Sequence, residues 1–227
     1  MYRERPSRIA GATLWSSTSD GAPGRILPDG CMDLMWFDGH LIVAGPDTSS
    51  FVWMAGEGVV TTGLRFAPGA APNVLGAPAY AVRDSRVRLD ELWSPAEVRR
   101  LEEQVAATPS AGRALEDLVV AHGRGPARAD PLVTELVRRV VAGERIAAIG
   151  PAVGLSNRQL QRRAHDAFGY GPKVLGRILR LDRALDLART GARLADVAAR
   201  CGYADQPHFA ADVRALTGTS ITGLGIT

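Results

Sequence analysis

The 227-residue sequence has only two cysteines, Cys31 and Cys201, 170 positions apart. The start, "MYRERPSRIAG", lacks the apolar stretch of a secretory signal. The two thiols therefore read as reduced rather than paired. Histidine is scarce as well: His40, His122, His165 and His208 fall singly, with no spacing that brings two onto one helix face or into a cysteine cluster. No metal site and no cofactor are expected. No apolar run approaches the roughly 20 residues that span a bilayer, so no membrane partner is expected and the expected location is the cytoplasm, at the nucleoid. Neither a serine-histidine-aspartate set nor paired carboxylates are legible, which leaves no catalytic residue to name and favours a protein that is not an enzyme.

Hydrophobic residues make up 46% and charged residues 22%, the balance of a globular chain rather than a disordered one. The length suggests two modest domains, each able to bury its own core. The overall charge of +3 hides an asymmetry. Residues 1 to 131 carry 13 basic and 16 acidic groups, a net of −3, whereas residues 132 to 227 carry 14 and 8, a net of +6. A basic half of this kind is a footprint of nucleic-acid binding, although a solvated surface gives the same count.

The first 93 residues read as short strands. In "LMWF-DG-HLIVAG", apolar runs flank Asp38 and Gly39, and Asp-Gly is the favoured two-residue hairpin turn. Further strands are expected at "RIAGATLW", "SFVWM" and "VVTTGLRF", the last two joined by "AGEG". The pattern changes at Ser94, where "SPAE" offers a capping box ahead of a helix carrying Leu101 and Val105. A second helix starts after Ser110. The expected organisation is a β-rich sensor or dimerisation domain at 1–93, a helical connector at 94–122, a linker at 123–130 and a helical domain at 131–227. The expected fold class is α+β, a small antiparallel sheet or barrel followed by an all-α domain.

The helical half repeats itself. Ile146, Ile149, Gly150 and Gly154 correspond to Leu194, Val197, Ala198 and Gly202 at an offset of 48. After that glycine the offset is 49, matching Ser156 to Asp205, Leu160 to Phe209, Ala164 to Val213 and Gly169 to Gly218. Each copy spells a short helix, a glycine turn, an N-cap and a second helix, the layout of a helix-turn-helix. In the first copy Leu160, Ala164 and Phe168 fall on one helix face, and Arg158, Gln161 and Arg162 share the outward one. Arginine can take both acceptors of guanine, and glutamine the donor and acceptor of adenine. Between the units, 19 residues from Pro172 to Thr190 form a helix about 28 Å long at ~1.5 Å per residue, near the ~34 Å between successive major grooves on one DNA face.

The stretches "VGLSNRQLQRRAHDAFGYGPK" and "LADVAARCGYADQPHFAADVRALTG" resemble the tandem helix-turn-helix domain of AraC-type bacterial transcription regulators. The resemblance implies binding to double-stranded promoter DNA. Base-facing positions carried over are Arg158, Gln161 and Arg162 in the first unit and Gln206, Pro207, Ala210 and Ala211 in the second. Asn157, Arg163, Lys173 and Arg214 are assigned to phosphates. Ala210 and Ala211 stand where many family members have serine and arginine; they donate no hydrogen bond, leaving only contact with thymine methyls. Pro151 inside the first short helix should shorten or kink it. Ile221 replaces the counterpart of Pro172, so a final helix is expected to be frayed or absent.

"RILPDGCMDLMW" and "GLRFAPGAAPNVLG" resemble the short β-rich domain joined to some AraC-type regulators, which implies a small-molecule effector or a homodimer, with RNA polymerase a further candidate partner. Trp36, Trp53 and Arg65 are the candidate ligand residues, two aromatic walls and a guanidinium for an anionic group. Core packing is the competing role for both tryptophans. Two other functions compete. One uses Cys31 as an acceptor of alkyl groups from damaged DNA, although Asp29 and Asp33 beside it do not favour a thiolate. The other is a co-regulator acting mainly through protein contacts.

Overall fold

The structure, a computed structural model, describes residues 1–226. Strands β1 (Tyr2–Pro6), β2 (Ala12–Thr18), β4 (Met32–Phe37), β5 (His40–Ala44), β7 (Val60–Phe66) and β8 (Arg86–Arg88) make one antiparallel sheet in the order β1-β2-β7-β4-β5-β8. Strands β3 (Gly24–Ile26) and β6 (Phe51–Trp53) pair separately. The β4–β5 hairpin turns at Asp38 and Gly39, both at positive φ (49° and 78°), as an Asp-Gly turn requires. Two strand expectations need correction. "RIAGATLW" becomes a strand only from Ala12, after a turn at Gly11. The strands expected at "SFVWM" and "VVTTGLRF" both form but are not partners: β6 joins β3, and β7 lies between β2 and β4. Gly63 gives β7 its central place, because a Cβ there would stand 2.4 Å from the Trp15 indole.

One face of the sheet, with Leu34, Leu64 and Phe66, packs on α1 (Ala71–Leu75), α2 (Pro95–Ala106) and α3 (Ala111–His122). Val98, Leu101, Leu115 and Val119 from α2 and α3 lie in that core, so residues 94–122 complete the sheet's hydrophobic layer as well as connecting it onward. Ser94 is the N-cap of α2 and Pro95 its first residue, but the serine side chain makes no cap hydrogen bond and Glu97 instead pairs with Arg124 at 2.6 Å. The capping box expected there is therefore not formed. Residues 123–130 carry neither helix nor strand. They are nonetheless tied down: Arg124 N donates to Val74 O at 2.8 Å, its guanidinium covers the Trp93 ring at 4.3 Å, and Asn73 Nδ2 donates to Arg128 O at 2.7 Å.

The second core is helical, built from α4 (Pro131–Val141), α5 (Ile146–Ala152), α6 (Asn157–Phe168), α7 (Pro172–Arg189), α8 (Leu194–Arg200) and α9 (Gln206–Thr217). Asp130 caps α4 by accepting from Leu132 N at 2.7 Å, and Gly143 turns away after it at φ +77°. Pro151 is the sixth residue of α5, which stops one residue later. The pairs α5–α6 and α8–α9 are the two helix-turn-helix units, with Leu160, Phe168 and Phe209 fully buried between them and α7. Where the first unit leads into α7, the second leads into a single 3-10 turn, Thr222–Leu224.

The two cores meet along a polar seam. Arg65 lies between Asp29 (3.5 Å) and Asp33 (3.3 Å), and burial, which opposes its charge, is outweighed by these two carboxylates. Across the seam Asp182 on α7 is pushed up to about 6, first by burial and then by Asp186 and Asp29. A carboxyl whose folded pKa is raised favours the protonated fold, so its contribution is full below about pH 4 and lost as pH rises through about 6. Asp182→Asn is accordingly expected to leave Tm unchanged at pH 4. At pH 8 it should raise Tm by roughly 2–4 °C, about 1 kcal/mol after solvent screening. Thermal melts of both proteins across that range check the sign.

Candidate nucleic-acid interface

Helix α6 owes its start to a reciprocal cap. The Ser156 hydroxyl accepts from Gln159 N at 3.3 Å, and the Gln159 side chain accepts from Ser156 N at 2.9 Å. Its buried stripe is Leu160, Ala164, Ala167 and Phe168. Asn157, Arg158, Gln161, Arg162 and Arg163 are all exposed. Among the described residues, none of the three arginines pairs with a carboxylate. A shallow cleft lined by Ser156, Arg158, Gln159 and Arg162 opens on this face. Gln161 lies toward the turn into α7, its Oε1 2.6 Å from where a Cβ on Gly171 would stand.

Helix α9 is built on the same plan with other chemistry. Asp205 caps it by accepting from His208 N at 2.7 Å. His208 returns the favour by accepting from Ala204 N through Nδ1 at 3.3 Å, with its ring edge-on to Tyr203. Gln206, Pro207, Ala211 and Arg214 are exposed. Ala210 is half-buried and packs on the helical core beside Phe209 and Val213, so of the two alanines Ala211 is the more open.

Lys173 is exposed near the start of α7, but two basic neighbours are otherwise engaged. Arg177 and Arg180 both reach Asp212 on α9, Arg177 through Nε and Arg180 through Nη2 at 3.3 Å. Tyr203 OH donates to the same carboxylate at 3.2 Å, and the Arg180 guanidinium covers the Tyr203 ring at 4.3 Å. Asp212 is buried, so this node fixes α9 against α7. The helix packing thus supplies a partner 32 to 35 positions away in sequence.

The N-terminal candidates do not converge. Trp36 shares the helix-covered face of the sheet with Leu34 and Met32, whereas Arg65, level with Asp33 in the β4–β7 register, is on the other face. Trp53 meets Phe37 edge-on at 4.7 Å. A cleft between α2 and α3 touches none of the three. Cys31 is half-buried, and burial first, then Asp29, lifts its thiol well above the ordinary range, the opposite of what a thiolate nucleophile needs.

A sequence family described as a helix-turn-helix domain matches residues 150–224, from late in α5 through α9 and the 3-10 turn after it. That domain is of the AraC type, and the chain is a DNA-binding transcription regulator. A domain of unknown function (DUF6597) matches residues 12–88 of the regulator. No curated protein matches. Among solved structures, ToxT from Vibrio cholerae O395, bound to (E)-4-(8-methylnaphthalen-1-yl)but-3-enoic acid, is 11% identical over 94% of this chain and 97% of its own, with a TM-score of 0.50. An apo ToxT variant from strain SCE256 is 12% identical over 98% of each chain, also at 0.50. A probable AraC family transcriptional regulator from Rhodopseudomonas palustris CGA009 is 24% identical over 41% of this chain and 94% of its own, at a TM-score of 0.36. The ToxT likeness is one of fold. No helix among the described residues is long and apolar enough to cross a membrane.

Proposed function

We propose that the regulator reads two adjacent major grooves, with α6 selecting bases and α9 contributing mainly shape and phosphate contact. The observation that carries this reading is the outward face of α6, where Arg158 and Arg162 are exposed and, among the described residues, without a carboxylate partner, on a helix fixed by its own cap. A guanidinium with no internal partner is free to take the two acceptors of guanine. On α9 the corresponding surface offers Gln206, Ala211 and Arg214, one amide, one methyl and one cation. We assign Lys173, the sequence's single lysine, with Asn157, Arg163 and Arg214, to the phosphate backbone.

For the N-terminal half we propose control of DNA binding through the seam it shares with the reading domain. A preformed anion pocket at Trp36, Trp53 and Arg65 is not part of this proposal, since Arg65 already answers Asp29 and Asp33. A small-molecule effector or self-association would act by changing that seam.

Selection by the full chain from a random 30-bp duplex library tests the reading. Enriched duplexes should carry two blocks centred roughly 10 bp apart, one more sharply defined than the other. Failure to enrich any sequence would remove it. Lys173→Ala should weaken selected and unselected duplexes alike and lower the slope of log K against log salt by about 1.

A further inference from the structure

Helix ends leave carbonyls without partners. In this protein the N-terminal domain supplies donors to the same end of both reading helices. α6 closes at Gly169 and α9 at Gly218, matched positions of the doubled unit, both at positive φ (78° and 68°). At the first, Arg83 Nη1 donates to Gly169 O at 3.2 Å. At the second, Arg25 Nη1 and Ser50 Oγ each donate to Thr217 O at 2.8 Å, and Ser50 N donates to Leu216 O at 2.7 Å. An arginine at a helix C-terminus also suits the negative end of its dipole.

One loop joins these contacts. Pro46 lies against Gly169, 2.9 Å from where its Cβ would stand, and Ser50 sits on α9 four residues later, a span of at most about 14 Å of chain. The loop is not slack. Asp47 accepts from both arms of Arg86 at 2.7 and 2.6 Å, and the pair is almost wholly buried. Thr48 donates to Asp84 through N (2.6 Å) and Oγ1 (2.9 Å), and Gly45 is pressed on the Val82 carbonyl so closely that no side chain fits. Residues 45–50 and 82–86 therefore form one stiff piece that includes Arg83. That piece holds the C-terminal ends of both reading helices, while Arg158 and Gln206 near their N-terminal ends are exposed.

We propose that Arg25, Ser50 and Arg83 are positioning residues: they fix α6 relative to α9 and so set the spacing between half-sites that the regulator accepts. The inference rests on the DNA reading proposed above. It follows from an imbalance in that reading. Ala211 gives α9 little to align itself by on a base edge, so its alignment comes from the protein, through Asp212 on one side and the Arg25–Ser50 contact on the other.

The test uses the full chain, its library-selected duplex and the same duplex with one or two base pairs inserted between the blocks. Wild type is expected to lose at least about tenfold in affinity on the one-base-pair insertion, whereas Arg25→Ala/Ser50→Ala loses less than about threefold, and Arg25→Lys/Ser50→Thr restores the penalty. Circular dichroism melts confirm that both variants are folded. A second arm needs no DNA: spin labels at Arg163→Cys and Ala215→Cys, in a Cys31→Ser/Cys201→Ala background, should give one narrow distance that broadens with Arg25→Ala/Ser50→Ala. An unchanged spacing penalty, or an unchanged narrow distance, would overturn the bracket alone. A wild type that enriches no sequence would sink the DNA reading and the spacing claim with it, while the distance arm still decides whether the bracket holds the helices.

Discussion

Replacing Arg158 and Arg162 together by alanine is expected to lower affinity for the selected duplex by roughly 10²- to 10³-fold at fixed salt, with a much smaller loss on an unrelated duplex. Each bidentate arginine–guanine contact carries about 1–3 kcal/mol of discrimination, and tenfold in affinity corresponds to about 1.4 kcal/mol. The residual binding is the phosphate contribution, which α9, Arg163 and Lys173 still supply. Among the described residues neither arginine pairs with a carboxylate or joins the core, so the fold should not register the change: stability should stay within about 0.5 kcal/mol. Fluorescence anisotropy titrations on both duplexes, paired with a melt, separate the two effects. Equal losses on both duplexes would mean that α6 holds DNA without reading it.

Removing the Asp212 carboxylate is expected to have the largest effect on stability. Asp212→Ala leaves Arg177, Arg180 and the Tyr203 hydroxyl facing a space that has lost its acceptor. Breaking a buried ion pair costs about 3–5 kcal/mol, but Arg177 and Arg180 keep 41% and 31% of their side-chain exposure and can turn to water. About 2–3 kcal/mol is therefore expected, a fall in Tm of roughly 5–10 °C. Asp212→Asn, which keeps an acceptor for Tyr203, should recover part of it. A melt of Asp212→Ala that coincides with wild type would show that the node does not hold α9.

The reading face of α6 was legible because everything that defines it is local: a cap at Ser156, a 3.6-residue period through Leu160, Ala164 and Phe168, and polar side chains on the remaining arc. Repetition at offsets of 48 and 49 made the second unit legible by the same local signals. What escaped depends on partners remote in sequence. Asp212 falls on the buried side of α9, and nothing near it announces the two arginines waiting on α7. Trp36 and Arg65 looked like neighbours because strand candidates carry no register; once β4 and β7 are paired, residue parity sends the two to opposite faces. Strands β1, β3 and β8 went unseen because they are short or polar and none of their residues belongs to the core, so only pairing to a neighbour makes them strands. The Ser94 cap failed for a related reason, since Glu97 found a better partner in Arg124 than in its own helix end.

Strand β1 borders the large sheet with all five of its residues exposed, in the order Tyr, Arg, Glu, Arg, Pro. An open border of backbone donors and acceptors invites a stray strand from another molecule. Here an intruder would meet charges of both signs and then Pro6, which has no N–H to offer. This margin of the sheet thus carries its own guard against fibril-like growth.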